Sequence, residues 1–390
     1  MSEILKLVKK FDEYRSKCLN LQASENIMSR DARAALGSGM ASRYSHVDHE
    51  TQENSYGGAS IIEEIEESVR KMASKLYRSK YAEVRPIGGH VALESTLISI
   101  LKKGDSFLYI HEKDGGYPGY RQDMIPGMFG FTGIPIPYFY DRQEIDFYGL
   151  EKVVKERKPR AIVLGQSAFV KEYDLGRINE IAWNYDLKVI YDGSHVMGLI
   201  AGKGFQTDAI FRSDVLLGST HKTFFGPQGG IILTNDGDLI NRISENMIWK
   251  TMDNYHPSRL AALGVSMEEM IATGEEYASA VVRNSKSLGK VLNDLKIGIK
   301  FDPWFSFTHQ LIIDEKSISR RSLDRISFSK TLEKNRIIVD RDGRIGTSEI
   351  SRLGLHDMDR VGELINKALS NEEVTKEVTD LISGLQSKYW

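Results

Sequence analysis

A lysine held in a loop between two apolar runs is the first residue whose setting suggests chemistry. Lys222 lies in Ser219-Thr220-His221-Lys222-Thr223, followed by Phe224-Phe225-Gly226-Pro227-Gln228-Gly229-Gly230. An amine pressed against apolar and aromatic neighbours loses hydration, so its pKa falls and it can attack a carbonyl. A lone loop lysine is more often simply solvated, but Lys222 has company. The apolar run Val189-Ile190-Tyr191 ends in Asp192-Gly193-Ser194-His195. In open α/β sheets ligands collect outside the carboxyl ends of the strands. A carboxylate there can hold a protonated ring nitrogen, and pyridoxal phosphate is the commonest carbonyl cofactor carried on a lysine. Taken singly, Asp192 would be a turn or helix cap and His195 a satisfied core histidine.

Three further groups add to this pair. Gly88-Gly89-His90 opens an expected helix, where glycines admit a phosphate to free backbone N–H groups and a partial positive charge. Asp114-Gly115-Gly116-Tyr117 sets a tyrosine after a tight turn, where its ring could cover a flat cofactor. Arg344, in Gly343-Arg344-Ile345-Gly346-Thr347, could take an amino-acid carboxylate with both guanidinium arms. An ordinary turn, a surface turn and a surface ion pair are the plainer readings of these three.

The elements that must position these groups follow from periodicity. Residues 2–18 read as an amphipathic helix with Ile4, Leu5, Val8 and Phe11 on one face. Residues 22–57 are polar and aperiodic, a long arm of the kind that serves function or an interface. Residues 59–79 are strongly helical, and a helix from Gly89 runs to about Lys102. Strands are expected at 82–87, 106–110, 134–139, 160–165, 187–192, 214–219 and 229–234, with helices between several, as at 147–157 and 176–185. This alternation predicts an α/β fold with a mostly parallel sheet flanked by helices. After about residue 275, helices at 276–295, 321–335, 357–369 and 371–386 flank strands at 306–313, 336–340 and 349–353, a smaller α+β domain. The expected division is an N-terminal helix and arm at 1–57, a large α/β domain at 58–275 and a C-terminal domain at 276–390.

Composition narrows the class of function. The 390 residues carry 52 Lys plus Arg against 54 Asp plus Glu, a formal charge of −2. Phosphate-neutralising nucleic-acid binders are usually basic, so that class is not expected. The hydrophobic share of 41% and charged share of 27% are those of a globular chain. Cys18 is the single cysteine, which excludes an intrachain disulfide and a cysteine-rich zinc site. No apolar run approaches a membrane span, and no apolar segment follows the early lysines, so a cytoplasmic protein without membrane contact is expected.

In order and spacing these residues resemble serine hydroxymethyltransferase, a fold-type I pyridoxal-phosphate family. Leu21-Gln22-Ala23-Ser24-Glu25-Asn26 resembles its N-terminal segment, and Arg43-Tyr44 with Tyr56-Gly57-Gly58 its interface arm. Asp192 to Leu199 resembles its aspartate–histidine strand end, and Thr220-His221-Lys222-Thr223 with Gly226-Pro227 and Gly229-Gly230 its cofactor-lysine loop. Arg344-Ile345-Gly346-Thr347 resembles its substrate-carboxylate site.

The resemblance implies that Lys222 carries pyridoxal 5'-phosphate, with Thr220 and His221 beside it, and that Asp192 pairs with the ring nitrogen. Tyr117 would cover the ring, where the family usually has histidine. Ser167 and His195 would lie near the cofactor phenol and the substrate. Gly88, Gly89 and His90 would hold the phosphate, His90 standing where the family often has serine. Ser24 and Arg344 would contact the amino acid. Tyr56 would reach in from a partner subunit, which implies a homodimer with shared sites.

The chain also departs from the family pattern. The family's acid–base glutamate after the tyrosine matching Tyr44 is replaced, with His46, His49, Glu50 and Glu53 as candidates. Residues 253–257 stand in place of a glycine-rich phosphate segment, leaving Tyr255 or His256 as donors. Residues 335–343 run almost directly into Arg344, where the family has a longer loop that helps hold folate. No metal is expected. The implied activity is interconversion of serine and glycine with tetrahydrofolate or another tetrahydropterin. The alternatives are a pterin-independent threonine-type aldolase and a catalytically inactive cofactor-binding or regulatory homologue.

Overall fold

The computed structural model describes residues 2–48, 51, 53–385 and 389. Two compact units emerge. The larger comprises Asp31–Glu275; the smaller comprises Met1–Arg30 together with Glu276–Trp390. The first 57 residues are thus divided between the two. Residues up to Arg30 join the C-terminal unit because Leu19–Asn20 pairs as a parallel strand with Ile337–Ile338.

The larger unit is built on seven strands: β1 (Tyr81–Glu83), β2 (Ser106–Tyr109), β3 (Thr132–Pro135), β4 (Ala161–Leu164), β5 (Lys188–Asp192), β6 (Val215–Ser219) and β7 (Gly230–Thr234). They lie in the order β1-β7-β6-β5-β4-β2-β3. The pairs β2–β3, β2–β4, β4–β5 and β5–β6 are parallel, while β7 runs antiparallel to both β1 and β6. All residues of β4 and β6 are buried, the signature of central strands covered on both faces. Leu93, Leu97, Phe107, Val163, Ile190, Leu217 and Ile232 belong to one core between the sheet and the helix Gly89–Ile100. Each buried side chain of this size contributes roughly 1.5–3 kcal/mol.

Because β1 opposes β7 and β7 opposes β6, β1 runs in the same sense as the parallel strands. The segments after β1, β2, β4, β5 and β6 therefore all leave the same edge of the sheet. The carboxyl-end rule places a site there.

Several elements differ from the sequence expectation. Residues 349–353 are not a strand: 349–352 lie in the helix Ser348–Arg352 and Leu353 is its C-cap; a run this short carries no decisive period, and the Ser351 hydroxyl closes a helical turn onto the Thr347 carbonyl at 2.7 Å. The arm contains the helix Arg30–Leu36 and a 3-10 turn at Gly39–Ser42. The helix expected from residue 276 starts at Pro257 and continues to Asp294, with proline at the first helical position, where its missing N–H costs nothing. The first helix, Glu3–Arg15, buries no residue, so Ile4, Leu5, Val8 and Phe11 do not contribute to the core. No helix among the described residues is long and apolar enough to cross a membrane.

In the smaller unit, Gln310–Ile312 pairs antiparallel with Arg344–Gly346 over a core that includes Leu288, Leu311, Phe328, Ile345, Val361 and Ile365.

Candidate active site

One pocket in the larger unit is lined by Gly89, His90, Leu93, Tyr117, Gln166, Ser167, Asp192, Ser194, His195, Ser219 and Lys222. Every contributor lies at the carboxyl end of a same-sense strand or in the segment that follows one, as the topology requires.

Asp192 closes β5 and is 8% exposed. Its Oδ1 accepts from the Ser194 hydroxyl at 2.6 Å and the Ser194 N–H at 3.0 Å, and its Oδ2 accepts from the Tyr120 hydroxyl at 2.8 Å. Three donors hold the carboxylate in place. Tyr120 is fully buried, and its phenol is held well above the ordinary tyrosine range by burial first and by Asp192 second.

Lys222 is carried by the loop between β6 and β7. Thr223 fastens that loop: its hydroxyl donates to the His195 carbonyl at 2.9 Å and accepts the Gly198 N–H at 3.0 Å. Thr220 turns inward, donating to the Pro227 carbonyl at 2.7 Å. His221 is pushed down to about 4, chiefly by burial and then by Lys222, and its Nδ1 has no hydrogen-bond partner. Neither Thr220 nor His221 lines the pocket.

The helix Gly89–Ile100 begins without a capping side chain at Gly88. The helices Phe147–Arg157, Leu175–Tyr185 and Gly237–Met247 of the same unit are capped by Asp146, Asp174 and Asp236. Uncapped amides at the pocket wall suit an anionic group.

Tyr117 is delivered by a turn that only glycine permits. Gly115 has φ +90°, and a side chain at Gly116 would meet the Ile110 carbonyl oxygen at 1.7 Å. The Ser167 and Ala168 N–H groups donate to the Gly115 carbonyl at 2.7 and 3.0 Å, locking this turn to the segment after β4. Tyr117 packs edge-on against Tyr120, ring centroids 5.5 Å apart. His90 meets the Tyr117 ring edge-on with centroids 6.0 Å apart, its Nδ1 2.9 Å from the Tyr117 hydroxyl and its Nε2 3.3 Å from Glu94.

The remaining sequence candidates fall elsewhere. Tyr56, His46 and Tyr255 line a second, smaller pocket of the larger unit with Tyr44, Ser45, Trp249 and Asp253. Tyr44 and Tyr56 stack with centroids 5.1 Å apart, and His46 meets Trp249 edge-on at 6.0 Å. Tyr255 is a buried tyrosine hydrogen-bonded to Ser45 and Glu66. Glu53 is exposed, and His49 and Glu50 lie outside the described residues. In the smaller unit, Arg344 is mostly buried, with its Nε 3.0 Å from Asp340. The turn holding Ser24 lies against the same strand: Ala23 touches Gly346, and its N–H donates to Asp340.

Sequence reasoning missed Tyr120, Ser194, Ser219, Gln166 and Glu94. Glu94 had a readable signal, since four residues along a helix bring it onto the face of His90. Tyr120 had none, because its partner Asp192 is 72 positions away.

Comparison with known protein families decides among the chemistries this pocket allows. The family model for serine hydroxymethyltransferase matches residues 1–365. The chain belongs to the serine hydroxymethyltransferase family. It is 34% identical to the serine hydroxymethyltransferase of Methanothermobacter marburgensis, over 97% of this chain and 92% of that one. It is 33% identical to the enzyme of the same name from Methanobrevibacter smithii, over 97% and 93%. Among solved structures it is similar to the L-threonine transaldolase of Pseudomonas fluorescens in its internal aldimine state. That similarity has a TM-score of 0.87 at 23% identity and covers 98% of this chain and 91% of that one. The match extends the family's fold to this chain, with its helix-flanked mixed sheet of seven strands.

The pocket also fits the family's cofactor on structural grounds. It combines an amine on a tethered loop, a pinned carboxylate at a strand end, and a helix start whose amides no side chain caps. Pyridoxal phosphate has a carbonyl, a basic ring nitrogen and a phosphate to match each in turn.

Proposed function

We propose that the protein is a pyridoxal-phosphate enzyme that makes or breaks the Cα–Cβ bond of a small β-hydroxy amino acid, interconverting serine and glycine. The observation that carries this reading is the convergence of Lys222, Asp192 and the uncapped helix start at Gly89 on one pocket. When bound, the cofactor supplies an electron sink for charge that develops at Cα. The protein's part is to position and to move protons. Lys222 would hold the cofactor, and Asp192, fixed by Tyr120 and Ser194, would keep its ring nitrogen protonated. Gly88 and Gly89 would present backbone N–H groups to the phosphate, and Ser167 and His195 would border the substrate side. Arg344 and Ser24 would bind the substrate carboxylate. Tyr56 would act from the partner subunit of a homodimer, with His46 and Tyr255 near the same interface.

Tetrahydrofolate or a related tetrahydropterin is proposed as the one-carbon carrier. A pterin-independent aldolase is the second reading, favoured by the short connection of residues 335–343 between the helix Arg325–Lys334 and the strand Arg344–Gly346.

The test uses purified protein loaded with pyridoxal phosphate. Borohydride should fix the cofactor to Lys222, as read by peptide mass, and Lys222→Ala should show no such adduct. Serine should yield glycine only with a tetrahydropterin present, whereas aldehyde release from allo-threonine needs none. Loss of pterin dependence for serine selects the aldolase; absence of any adduct on Lys222 removes both readings.

A further inference from the structure

The pocket wall carries a hydrogen-bonded chain of three side chains. Glu94, His90 and Tyr117 are linked in series, Nε2 to carboxylate at 3.3 Å and Nδ1 to phenol oxygen at 2.9 Å. With His90 neutral, the chemistry of the three groups sets the direction of the chain. A carboxylate can only accept, so the imidazole hydrogen lies on Nε2, facing Glu94. Neutral His90 then offers the lone pair of Nδ1 to the Tyr117 O–H. This is the order of an orienting acid, a base and a hydroxyl that activates nucleophiles elsewhere, here with a tyrosine as its outer member.

We propose that Tyr117 is the acid–base catalyst of this enzyme, with His90 and Glu94 as the positioning residues that relay its proton. The assignment rests on the function proposed above. In cleavage, the β-hydroxyl proton of the substrate passes to the Tyr117 oxygen as the Tyr117 proton passes to His90 Nδ1. The carbonyl forms, the Cα–Cβ bond breaks and its electron pair stays with Cα. The imidazolium left at His90 is held by Glu94. The same proton returns through Tyr117 to Cα, so the products are an aldehyde and glycine with nothing added or lost.

Three observations support this choice. First, burial, then Asp192 and Glu94, push the Tyr117 phenol up, so it stays protonated near neutrality and can accept a proton only by passing its own onward. Second, the hydrogen bond to Glu94 raises His90, against a smaller opposing effect of burial, which makes the imidazole a better acceptor. Third, Tyr117 shares its pocket wall with Lys222 and Asp192. The charged and titratable groups facing the Tyr117–His90 pair are Glu94 on the helix of His90, Asp192 at the end of β5 and Tyr120 beyond the turn; Lys222 and His195 line the same pocket.

The test compares wild type, Tyr117→Phe and Glu94→Gln, each loaded with pyridoxal phosphate. Tyr117→Phe keeps the ring and removes the hydroxyl, so bound-cofactor absorbance should persist while allo-threonine cleavage falls by roughly 10²–10⁴-fold. Glu94→Gln touches neither cofactor nor substrate. It should lower the His90 titration midpoint, followed by NMR on ¹⁵N-histidine protein with His90→Gln for assignment. It should also move the acid limb of the cleavage pH profile down by the same interval. Cleavage by Tyr117→Phe within threefold of wild type overturns the relay, as does a His90 titration that moves while the acid limb does not. If wild type forms no borohydride adduct on Lys222, the functional reading fails and takes this assignment with it. When wild type forms the adduct and cleaves allo-threonine, a failure in the variants bears on Tyr117 alone.

Discussion

The Tyr120 hydroxyl donates to Asp192 Oδ2 at 2.8 Å, while Ser194 occupies the other oxygen of the same carboxylate. A carboxylate tied at both oxygens cannot swing away from the pocket, so Tyr120 sets where the cofactor nitrogen would find its partner. Tyr120→Phe removes one hydrogen bond to a charged group, worth about 1.5–3 kcal/mol. Equilibrium dialysis should show pyridoxal phosphate binding weakened roughly tenfold or more. Unchanged affinity would mean that Ser194 alone fixes Asp192.

The start of the helix Gly89–Ile100 leaves no room for a side chain. A Cβ on Gly89 would meet Ser219 Oγ at 2.5 Å and Ser194 Oγ at 3.1 Å. Relief requires both hydroxyls to turn, and Ser194 is a donor to Asp192. Gly89→Ala should therefore lower cofactor affinity by at least an order of magnitude. The apoprotein's thermal midpoint should move by only a few degrees, which separates a site effect from a folding defect.

In the smaller unit, Asp340 anchors Arg344, with 3.0 Å between Oδ2 and Nε. Burial raises Asp340 and the Arg344 charge opposes that rise, so the carboxylate is retained through its partner. Asp340→Asn keeps the shape and removes the charge. If Arg344 binds the substrate carboxylate, KM for the amino acid should rise about tenfold with kcat within threefold, the pattern of lost ground-state binding. An unaltered KM would place substrate recognition elsewhere.

Two buried groups give the stability–pH curve opposing components. His221 falls from 6.5 to about 4 on folding, chiefly through burial. The unfolded chain binds its proton first, so this group's contribution is lost as pH drops from 6.5 toward 4, by on the order of 3 kcal/mol. Glu349 rises from 4.5 to about 7, also through burial. The folded chain keeps that proton longer, so its contribution is lost as pH climbs from 4.5 through 7. Glu349→Gln preserves an acceptor for Asn20, which donates to Glu349 at 2.7 Å, and removes the second component. Urea midpoints of the apoprotein should then rise more steeply between pH 4 and 7, and exceed wild type at pH 8. A variant curve parallel to wild type would show that Glu349 titrates normally.

Much of this is legible in the chain. Runs such as Ala161–Leu164 announce a buried strand because β-branched and apolar residues fill every position. Asp192 and Lys222 declare themselves because each stands at the exit of such a run. What stays hidden depends on long-range pairing. The Tyr120–Asp192 bond and the locking of Gly115 to Ser167 join segments that local spacing cannot relate. The strand Leu19–Asn20 needs Ile337–Ile338 to exist at all. The segment at 349–353 is too short for either period to declare itself, and its turn is closed by a serine hydroxyl that propensity does not count. His90 and Tyr117 each stand out in the sequence, but only the fold unites them.

Thr223 holds the Lys222 loop with one hydroxyl that serves both the His195 carbonyl and the Gly198 amide. That amide is consequently a resident gauge of the loop. Its hydrogen cannot trade with deuterated solvent until Thr223 lets go, so its exchange rate counts the excursions of the lysine segment directly. The motion of the loop that carries Lys222 is thus written into a single backbone position.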